Sequence, residues 1–403
     1  LYNTVNYNDN GTQNVKVPED AYYNLNISGS DIKTMQGNID VDNNINISST
    51  LTTSANNYDL HIGGNWTNTG TFNERNAKVI FDGSTDQSVD NTSGELFYDF
   101  ELSKGGGLLN TDDHITISNE LAMTKGGIST SDTITLGTGT ATPGNLIYNS
   151  GSILGKFERW INSTDTEFLF PVGISSSYRP LMVTFNDLSG GSVVSEFIAS
   201  DPGTSGISSL NENGFCIADV FSEGYWRFDN ENSLSSGNYN IEVEANGFDD
   251  YAITEDTRLL TRQNDGSDWT LNGNHANATS DTVRRNSVDR LPAEFGVAKV
   301  NQAPEPDIAP DDSIPKVCYS ESITLDANAN GTNYTWTMNG TVVGSNSQTY
   351  AFSPSENPED VNSDGYIEET FEITVDSDGC SGSDSQVVRV YRRPVTGNTY
   401  YVP

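Results

Sequence analysis

Pairs of apolar residues separated by one polar residue return about every 20 residues through the first third of this chain. Alternation with a period of two is typical of β-strands, and one coil of a parallel β-solenoid has about this length. Similarity sustained at a spacing of about 75 residues, in which Leu25/Ile27 correspond to Phe100/Leu102, also indicates units stacked on one another. An antiparallel meander or sandwich has the same alternation but gives no reason for two nested periods. The sequence therefore predicts a β-solenoid over residues 1–145. The apolar pairs are Leu25/Ile27, Ile45/Ile47, Val79/Phe81, Phe100/Leu102 and Ile134/Leu136.

The rest of the chain has no helical pattern either, so an all-β protein of several domains is expected. After residue 145 the apolar runs become longer and more aromatic, as in GKFERWI (155–161) and EGYWRFD (223–229). Many such runs between turn-rich segments predict a β-sandwich over residues 146–300. Trp160, Trp226 and Trp269 are expected in its core or at the edge of that core.

The last quarter of the chain divides by composition. Residues 301–316 are rich in Pro and acidic residues, which predicts an extended, semi-rigid linker. Short alternating runs over residues 317–393 predict an immunoglobulin-like β-sandwich module with Trp336 in its core. Residues 394–403 are interpreted as a linker to a further domain.

The charge of the chain limits its partners. Asp and Glu number 56 against 20 Lys and Arg, which gives a formal net charge of −36. Such a surface repels phosphate backbones and anionic lipids, so neither nucleic-acid binding nor membrane attachment is expected. No apolar run approaches the roughly 20 residues of a membrane span, and no membrane insertion is expected.

Three cysteines are present. Cys318 and Cys380 flank the last module, and we predict a disulfide between them in an oxidising compartment. The alternative is two buried free thiols. Cys216 is isolated in the sequence.

One loop has the side-chain pattern of a calcium site. Oxygen ligands at alternate positions of a tight loop can converge on one Ca²⁺ ion. Phe371 stands where an EF-hand has its bidentate Glu, so the pattern is incomplete, and the alternative is an Asx-rich hairpin loop. The predicted Ca²⁺ ligands are Asp360, Asn362, Asp364, Tyr366 and Glu368.

Catalytic motifs are missing from the sequence, including the P-loop, the GxSxG elbow, HExxH and CxxC. Asp112, Asp113 and His114 come nearest to a catalytic cluster, but an exposed corner is the preferred interpretation. We therefore predict no catalytic residues and no cofactor other than Ca²⁺. A groove along the solenoid with clustered carboxylates and a Lys or Arg would favour an enzyme. Two or more coplanar exposed aromatic rings in residues 146–300 would favour a carbohydrate-binding surface.

The order of WTNTGTF, VIFDG, FYDFELS, FPVG, YRP, YWRFD and EFGVA resembles large secreted surface proteins of gliding bacteria that use the type IX secretion system. The YTW followed by NG in the last module resembles PKD-like domains, although MNGTVVG replaces the Asp-rich hairpin of that family. The resemblance implies export across the outer membrane and an extracellular or cell-surface location, without a particular activity. The sorting domain of those proteins is missing, as we expect for a piece of a longer chain.

The sequence therefore predicts a non-enzymatic structural or adhesive segment of a large modular surface protein, acting as a rigid extracellular stalk or fibre component. Expected partners are other copies of the chain, neighbouring domains and surface glycans, with a homo-oligomeric assembly as one form. The alternatives are a carbohydrate-binding surface module and a polysaccharide lyase or hydrolase built on the β-helix.

Overall fold

The computed structural model describes residues 3–311, 313–355 and 365–392. Within these ranges the chain consists of β-strands, and its one helical element is a 3-10 turn at Ile207–Ser209. The chain forms two compact units, one of residues 1–206 and 220–299 and the other of residues 207–219 and 300–403. The predicted all-β architecture, a solenoid followed by sandwiches, is confirmed.

A β-solenoid of about seven coils forms the first part of the first unit. Its short strands alternate inward apolar and outward polar residues, because the few residues between Gly- and Asn-rich corners give room for one or two inward side chains each. The strands are β1 (Thr4–Tyr7), β2 (Gln13–Val15), β3 (Asn24–Ile27), β4 (Ile32–Met35), β5 (Ile39–Val41), β6 (Ile45–Ile47), β7 (Thr50–Thr52), β8 (Leu60–Ile62), β9 (Trp66–Asn68), β10 (Thr71–Asn73), β11 (Lys78–Phe81), β12 (Gln87–Asp90), β13 (Glu95–Thr111), β14 (Ile115–Leu136) and β15 (Asn145–Tyr148).

The coils have three faces of parallel strands. Face 1 contains β1, β3, β6, β9 and β12, face 2 contains β2, β4, β7 and β10, and face 3 contains β5, β8, β11 and β15. The long strands β13 and β14 bend at register shifts and extend across the faces. Leu25 lies directly between Val5 and Ile45 on face 1. The 20-residue spacing is therefore the length of one coil, as predicted.

The 75-residue similarity is not a structural period. Leu25 lies on face 1, whereas its counterpart Phe100 lies on face 3 between Val79 and Leu121. A separation of 75 residues is not a whole number of coils. Two residues that far apart in the chain therefore lie on different faces of the solenoid. The stacked-unit interpretation of this similarity is wrong, although the solenoid that it supported is present.

The solenoid interior contains aromatic rings and a few buried polar groups. The rings of Trp66 and Phe97 meet edge to face with centroids 5.4 Å apart. Trp66, although Gly and Asn flank it in the sequence, is buried on β9. Lys33 is buried, and its ammonium group donates hydrogen bonds to three backbone carbonyl oxygens, so the charge keeps its hydrogen-bond partners.

The solenoid continues into the sandwich through one strand, β16 (Ile153–Ile161). On one side β16 pairs parallel with β14, matching Ile134 with Phe157, and on the other it pairs antiparallel with β21. The buried residues of the solenoid and sandwich belong to one hydrophobic cluster. Because β15 and the start of β16 stack on solenoid coils, the expected boundary at residues 145/146 falls within the solenoid.

The sandwich of the first unit has two sheets. The first has the order β16-β21-β24-β29-β26 and the second β17-β20-β25-β28-β27. The strands after β16 are β17 (Glu167–Phe170), β18 (Gly173–Ile174), β19 (Ser177–Tyr178), β20 (Leu181–Phe185), β21 (Gly191–Ile198), β22 (Asn211–Glu212), β23 (Phe215–Val220), β24 (Tyr225–Glu231), β25 (Tyr239–Glu244), β26 (Arg258–Arg262), β27 (Asn274–Thr279), β28 (Thr282–Val288) and β29 (Ala293–Gln302). Strands β18 and β19 form a separate hairpin, whereas the hairpin of β22 and β23 belongs, up to Asp219, to the second unit.

The second unit contains a five-stranded sheet of order β30-β36-β35-β32-β33 and a two-stranded sheet of β31 and β34. Trp336, 1 % exposed, lies in its core as predicted. The strands are β30 (Lys316–Cys318), β31 (Ile323–Asp326), β32 (Asn333–Met338), β33 (Thr341–Val343), β34 (Thr349–Phe352), β35 (Tyr366–Ser377) and β36 (Cys380–Tyr391).

The Pro-rich segment predicted as a linker, residues 301–316, packs within this second unit. Ile308 is buried in the core, and its amide donates to Asp384 Oδ2 at 2.8 Å. Ala309 forms an antiparallel bridge with Asp326. The composition of the segment prevents a central strand but does not prevent it from lying against a sheet edge, so the spacer interpretation does not hold for its described residues. Residues 394–403, the second expected linker, lie outside the described residues.

The predicted disulfide between Cys318 and Cys380 is wrong. Cys380 is bonded to Cys216, with 5.7 Å between the two Cα atoms, and Cys318 is a free thiol. In the strand pairing of β30 with β36, Cys318 lies opposite Tyr391, at one end of β36, whereas Cys380 is at the other end. A strand of 12 residues spans roughly 40 Å, far beyond the roughly 7 Å between Cα atoms that a disulfide allows.

Candidate functional site

A polar cleft of about 350 Å³ opens in the first unit where the last solenoid coils meet the first sheet of the sandwich. We call it the junction cleft. Strands β14, β16, β21 and β24 supply most of its lining, the turn before β14 supplies His114 and the turn after β24 supplies Asn232. The lining residues are His114, Thr133, Lys156, Glu158, Val194, Asp229, Glu231 and Asn232.

Strand pairing explains why these side chains share one surface. Glu158 is opposite Val194, and Val194 is opposite Asp229, so the three form a row across neighbouring strands. Directly opposed residues project from the same side of a sheet. The intervening residues of each strand, such as Phe157 and Phe228, point into the apolar core. Packing of the inner face therefore fixes the polar side chains on the outer face.

The carboxylate of Glu158 is held by three donors. Its Oε1 accepts hydrogen bonds from Ser192 Oγ at 2.5 Å and from Asn232 Nδ2 at 3.1 Å. Its Oε2 accepts one from Thr135 Oγ1 at 2.8 Å. Several hydrogen bonds to a carboxylate fix its orientation. Glu158 is thus a rigid hydrogen-bond acceptor in the cleft wall.

The second carboxylate of the row has a different environment. Burial raises the pKa of Asp229 above its ordinary range, and the neighbouring Arg227 and Lys156 offset this only in part. Two carboxyl groups beside a lysine can bind the hydroxyl groups of a ligand. A pair of carboxyl groups is also a requirement of most glycoside hydrolases. The cleft carries the carboxylates and Lys that would favour an enzyme, but it lies at the solenoid–sandwich junction rather than along a solenoid face.

The cluster of Asp112, Asp113 and His114 does not converge on one point. Asp112 Oδ1 accepts from Ser131 Oγ at 2.8 Å, whereas Asp113 Oδ2 accepts from the amide of Asn91 at 2.8 Å. His114 Nε2 lies 3.1 Å from Thr116 Oγ1. The three side chains contact different neighbours, and only His114 lines the junction cleft.

The predicted calcium ligands fall into two groups. Asp360, Asn362 and Asp364 lie outside the described residues. Tyr366 and Glu368 lie on β35, where Glu368 Oε1 accepts a hydrogen bond from Arg389 Nε at 2.9 Å. The calcium site remains a prediction.

A separate acidic cluster, Glu223, Asp249 and Asp250, has carboxylate oxygens within 4.8 Å of one another. Glu223 Oε1 accepts from the amide of Asp250 at 3.0 Å, and Asp250 Oδ2 accepts from the amide of Ser222 at 2.7 Å. The hydrogen bonds from Ser222 hold the pKa of Asp250 below its usual range. These carboxylates bind the backbone of two loops to each other, which explains their proximity.

The tryptophans of the first unit divide into buried and half-buried residues. Trp226 and Trp269 are at most 1 % exposed, in agreement with a core position. Trp160 is half-buried, on the outer side of β16. The exposed large hydrophobic side chains of the described residues are aliphatic.

Of the residues that line the junction cleft, the sequence singled out only His114, in a cluster interpreted as an exposed corner, and the others were missed as site residues. The lining residues are spread over residues 114–232, and no spacing signals their proximity. The one available signal was the run Lys156, Glu158 and Trp160, in which polar and aromatic residues alternate with core residues.

The described residues contain no helix of the length and apolarity that a bilayer crossing requires. No family model matches the chain, and no curated protein shows significant similarity to it.

Proposed function

We propose that this chain is a non-enzymatic structural and adhesive segment of a large, modular, secreted surface protein, acting as a rigid extracellular stalk or fibre component. One observation carries the proposal: β16 is both the last rung of the solenoid ladder and the first strand of the sandwich sheet. Bending the first unit at this junction would break the hydrogen bonds of β16 and open a shared core. A stiff support requires this resistance to bending between the solenoid and the sandwich, and an enzyme does not.

The proposed extracellular location has two supports. The bond between Cys216 and Cys380 is of a kind that persists mainly in oxidising compartments. The resemblance to type IX secretion proteins favours the surface of a gliding bacterium. The expected partners are other copies of the chain, neighbouring domains and surface glycans, because multiplied weak contacts suit a fibre.

Cryo-electron microscopy of the native cell surface tests the proposal. We expect this chain in ordered, multi-copy filaments or stalks. Single copies on flexible tethers, without regular neighbours, would contradict the structural role.

Single-molecule pulling on the purified chain tests the stiffness of the first unit. Because β16 is shared, we expect the solenoid and this sandwich to yield in one force event. Separate events for the solenoid and the sandwich would show that the junction is a weak hinge.

A further inference from the structure

The junction cleft is bordered by an aromatic ring. Trp160 projects from the same side of β16 as Lys156 and Glu158, because side chains two residues apart share a side of a strand. Its cross-strand neighbour is Ser192, and the next residue in this row is Glu231 of the cleft. A half-buried indole therefore lies next to a row of hydrogen-bonding groups.

Trp160 differs from the other tryptophans of the chain. The sequence has five, and the remaining four are at most 1 % exposed. An indole is a large apolar group whose faces can stack on a flat apolar surface. Only Trp160 can offer this surface to a ligand.

The rim of the cleft is held in an unfavourable backbone conformation. Asn232 and Ser233 have φ angles of 49° and 65°, in the left-handed region that favours glycine. The side chain of Asn232 bonds Ser192 Oγ at 2.8 Å as well as Glu158. This turn and the two hydrogen bonds fix the side chain of Asn232 at the rim of the cleft.

The polar groups of the cleft determine the ligand chemistry. Carboxylates accept hydrogen bonds, a lysine ammonium donates them, and an amide does both, which together match hydroxyl groups. Three carboxylates, from Glu158, Asp229 and Glu231, outnumber the single lysine, so the cleft repels anionic ligands. The aromatic border adds a surface for the apolar face of a ring.

We propose that the junction cleft binds an uncharged oligosaccharide. Trp160 stacks on one sugar ring, while Glu158 and Glu231 accept hydrogen bonds from hydroxyl groups. Lys156 donates to ring and hydroxyl oxygens, while both Nδ2 hydrogens of Asn232 remain on Glu158 and Ser192 and hold the Glu158 carboxylate in place. This inference rests on the adhesive part of the proposed function, in which surface glycans are partners, whereas the stalk role alone needs no ligand.

Titration of the full chain with oligosaccharides tests the proposal by calorimetry and intrinsic fluorescence. The probes are cellohexaose, laminarihexaose and mannohexaose, with hexagalacturonate as the anionic comparison. We expect saturable heat and a change in tryptophan emission for at least one uncharged probe, and none for hexagalacturonate. No binding of any uncharged probe, or equal binding of the anionic one, would overturn the proposal.

Two variants locate the site. Trp160→Ala should weaken binding at least about tenfold and remove the emission change, since stacking contributes to affinity and Trp160 is the reporter. Glu231→Gln should weaken binding several-fold with emission retained, because it removes one acceptor charge at an exposed position. Unchanged affinity in both variants, with thermal unfolding as in the parent, would place the ligand elsewhere.

Matched controls are Tyr98→Ala, a half-buried solenoid aromatic, and Glu19→Gln, an exposed carboxylate. Both should bind like the parent protein. Mass spectrometry of the incubated probes separates binding from turnover. Intact probes support a binding site, whereas cleavage products that disappear in Glu231→Gln would contradict the non-enzymatic role while keeping the saccharide site.

Discussion

A buried carboxylate shows how single residues shape the solenoid interior. Glu95 is 4 % exposed, and its Oε2 accepts hydrogen bonds from Trp66 Nε1 at 2.8 Å and Asn68 Nδ2 at 3.0 Å. Burial raises the pKa of Glu95, and the hydrogen bonds from Asn68, Trp66 and Asn91 counteract this only in part. The polar edge of a core tryptophan thus has a partner, but the charge of that partner is costly.

The Glu95→Gln substitution should change the pH dependence of stability. A group whose folded-state pKa is raised contributes stability below its unfolded pKa and loses it as pH rises through the folded pKa. The ordinary pKa of Glu in an unfolded chain is about 4.3. Above about this pH the contribution of Glu95 to the free energy of unfolding falls in the parent protein, whereas the variant has no carboxyl group to ionise there. We expect the free energy of unfolding of Glu95→Gln, relative to the parent, to increase as pH rises.

Urea unfolding of both proteins between about pH 4 and pH 8 measures this difference. Glu19→Gln removes an exposed charge and serves as the control. Parallel pH profiles for Glu95→Gln and the parent would contradict the raised pKa.

The buried basic residues could not be predicted from the sequence. Lys33 and Lys104 occupy inward positions of the solenoid, and Arg159 lies inside the sandwich. Lys104 Nζ donates to the carbonyl of Thr85 at 2.8 Å and to Gln87 Oε1 at 2.7 Å. The acceptors are mostly backbone carbonyls at corners, which every residue type supplies. The sequence pattern therefore contains no sign of them.

At the scale of the strand, the alternation was sufficient to predict the coils. Leu25/Ile27 and Ile45/Ile47 stack in register because inward apolar residues must meet their counterparts in the next coil. The face to which each strand belongs depends on corner lengths, which vary along the chain. For this reason similarity between segments 75 residues apart did not identify equivalent positions.

Substitution of Gly151, between β15 and β16, should disrupt the solenoid–sandwich junction. Its φ is +106°, and a Cβ atom there would lie 1.7 Å from the carbonyl oxygen of Gly126. We expect Gly151→Ala to lower the free energy of unfolding by at least about 3 kcal/mol, from the backbone conformation and the clash together.

Gly266→Ala is the matched control. Gly266 has a φ of +97° with no atom within 4 Å of the added Cβ, so we expect a loss of about 1–2 kcal/mol. Denaturant unfolding of both variants separates the two effects. Equal losses would mean that close packing at the junction contributes nothing.

The disulfide makes a second prediction at this scale. Cys216 and Cys380 are 164 residues apart, and a bond closing such a loop contributes roughly 5 kcal/mol in the chain-entropy model. Cys216→Ser should therefore destabilise the second unit by about 2–5 kcal/mol, whereas Cys318→Ser should have little effect. Peptide mapping without reductant should recover a Cys216–Cys380 peptide. A Cys318–Cys380 peptide would refute the assignment.

At the scale of the molecule, composition and periodicity predicted the architecture but not the cleft. The absence of helical periodicity was enough for an all-β fold. The cleft, in contrast, forms because the strand order of the sandwich brings Glu158, Val194 and Asp229 side by side. The positions of the cysteines were equally uninformative, since only the fold brings residues 216 and 380 together.

The net charge of −36 predicts the salt dependence of stability. Repulsion among like charges destabilises a compact state, and salt screens it. We expect the Tm to rise between 10 and 500 mM NaCl, and equally in choline chloride. A falling Tm would show that attractive ion pairs dominate, and a rise in NaCl alone would indicate specific Na⁺ binding.

The shared strand also affects how the length of this protein can change in evolution. A duplication of one whole coil of about 21 residues before β13 adds one rung and leaves β16 paired with the same two neighbours. Each added rung would extend the solenoid by roughly 4.8 Å. Insertions of other lengths would rotate the faces and displace the sandwich. The length of the solenoid can therefore change in evolution in steps of one rung. The segment from β13 to β29 keeps its length, so the junction cleft stays the same while its distance from the first coil increases.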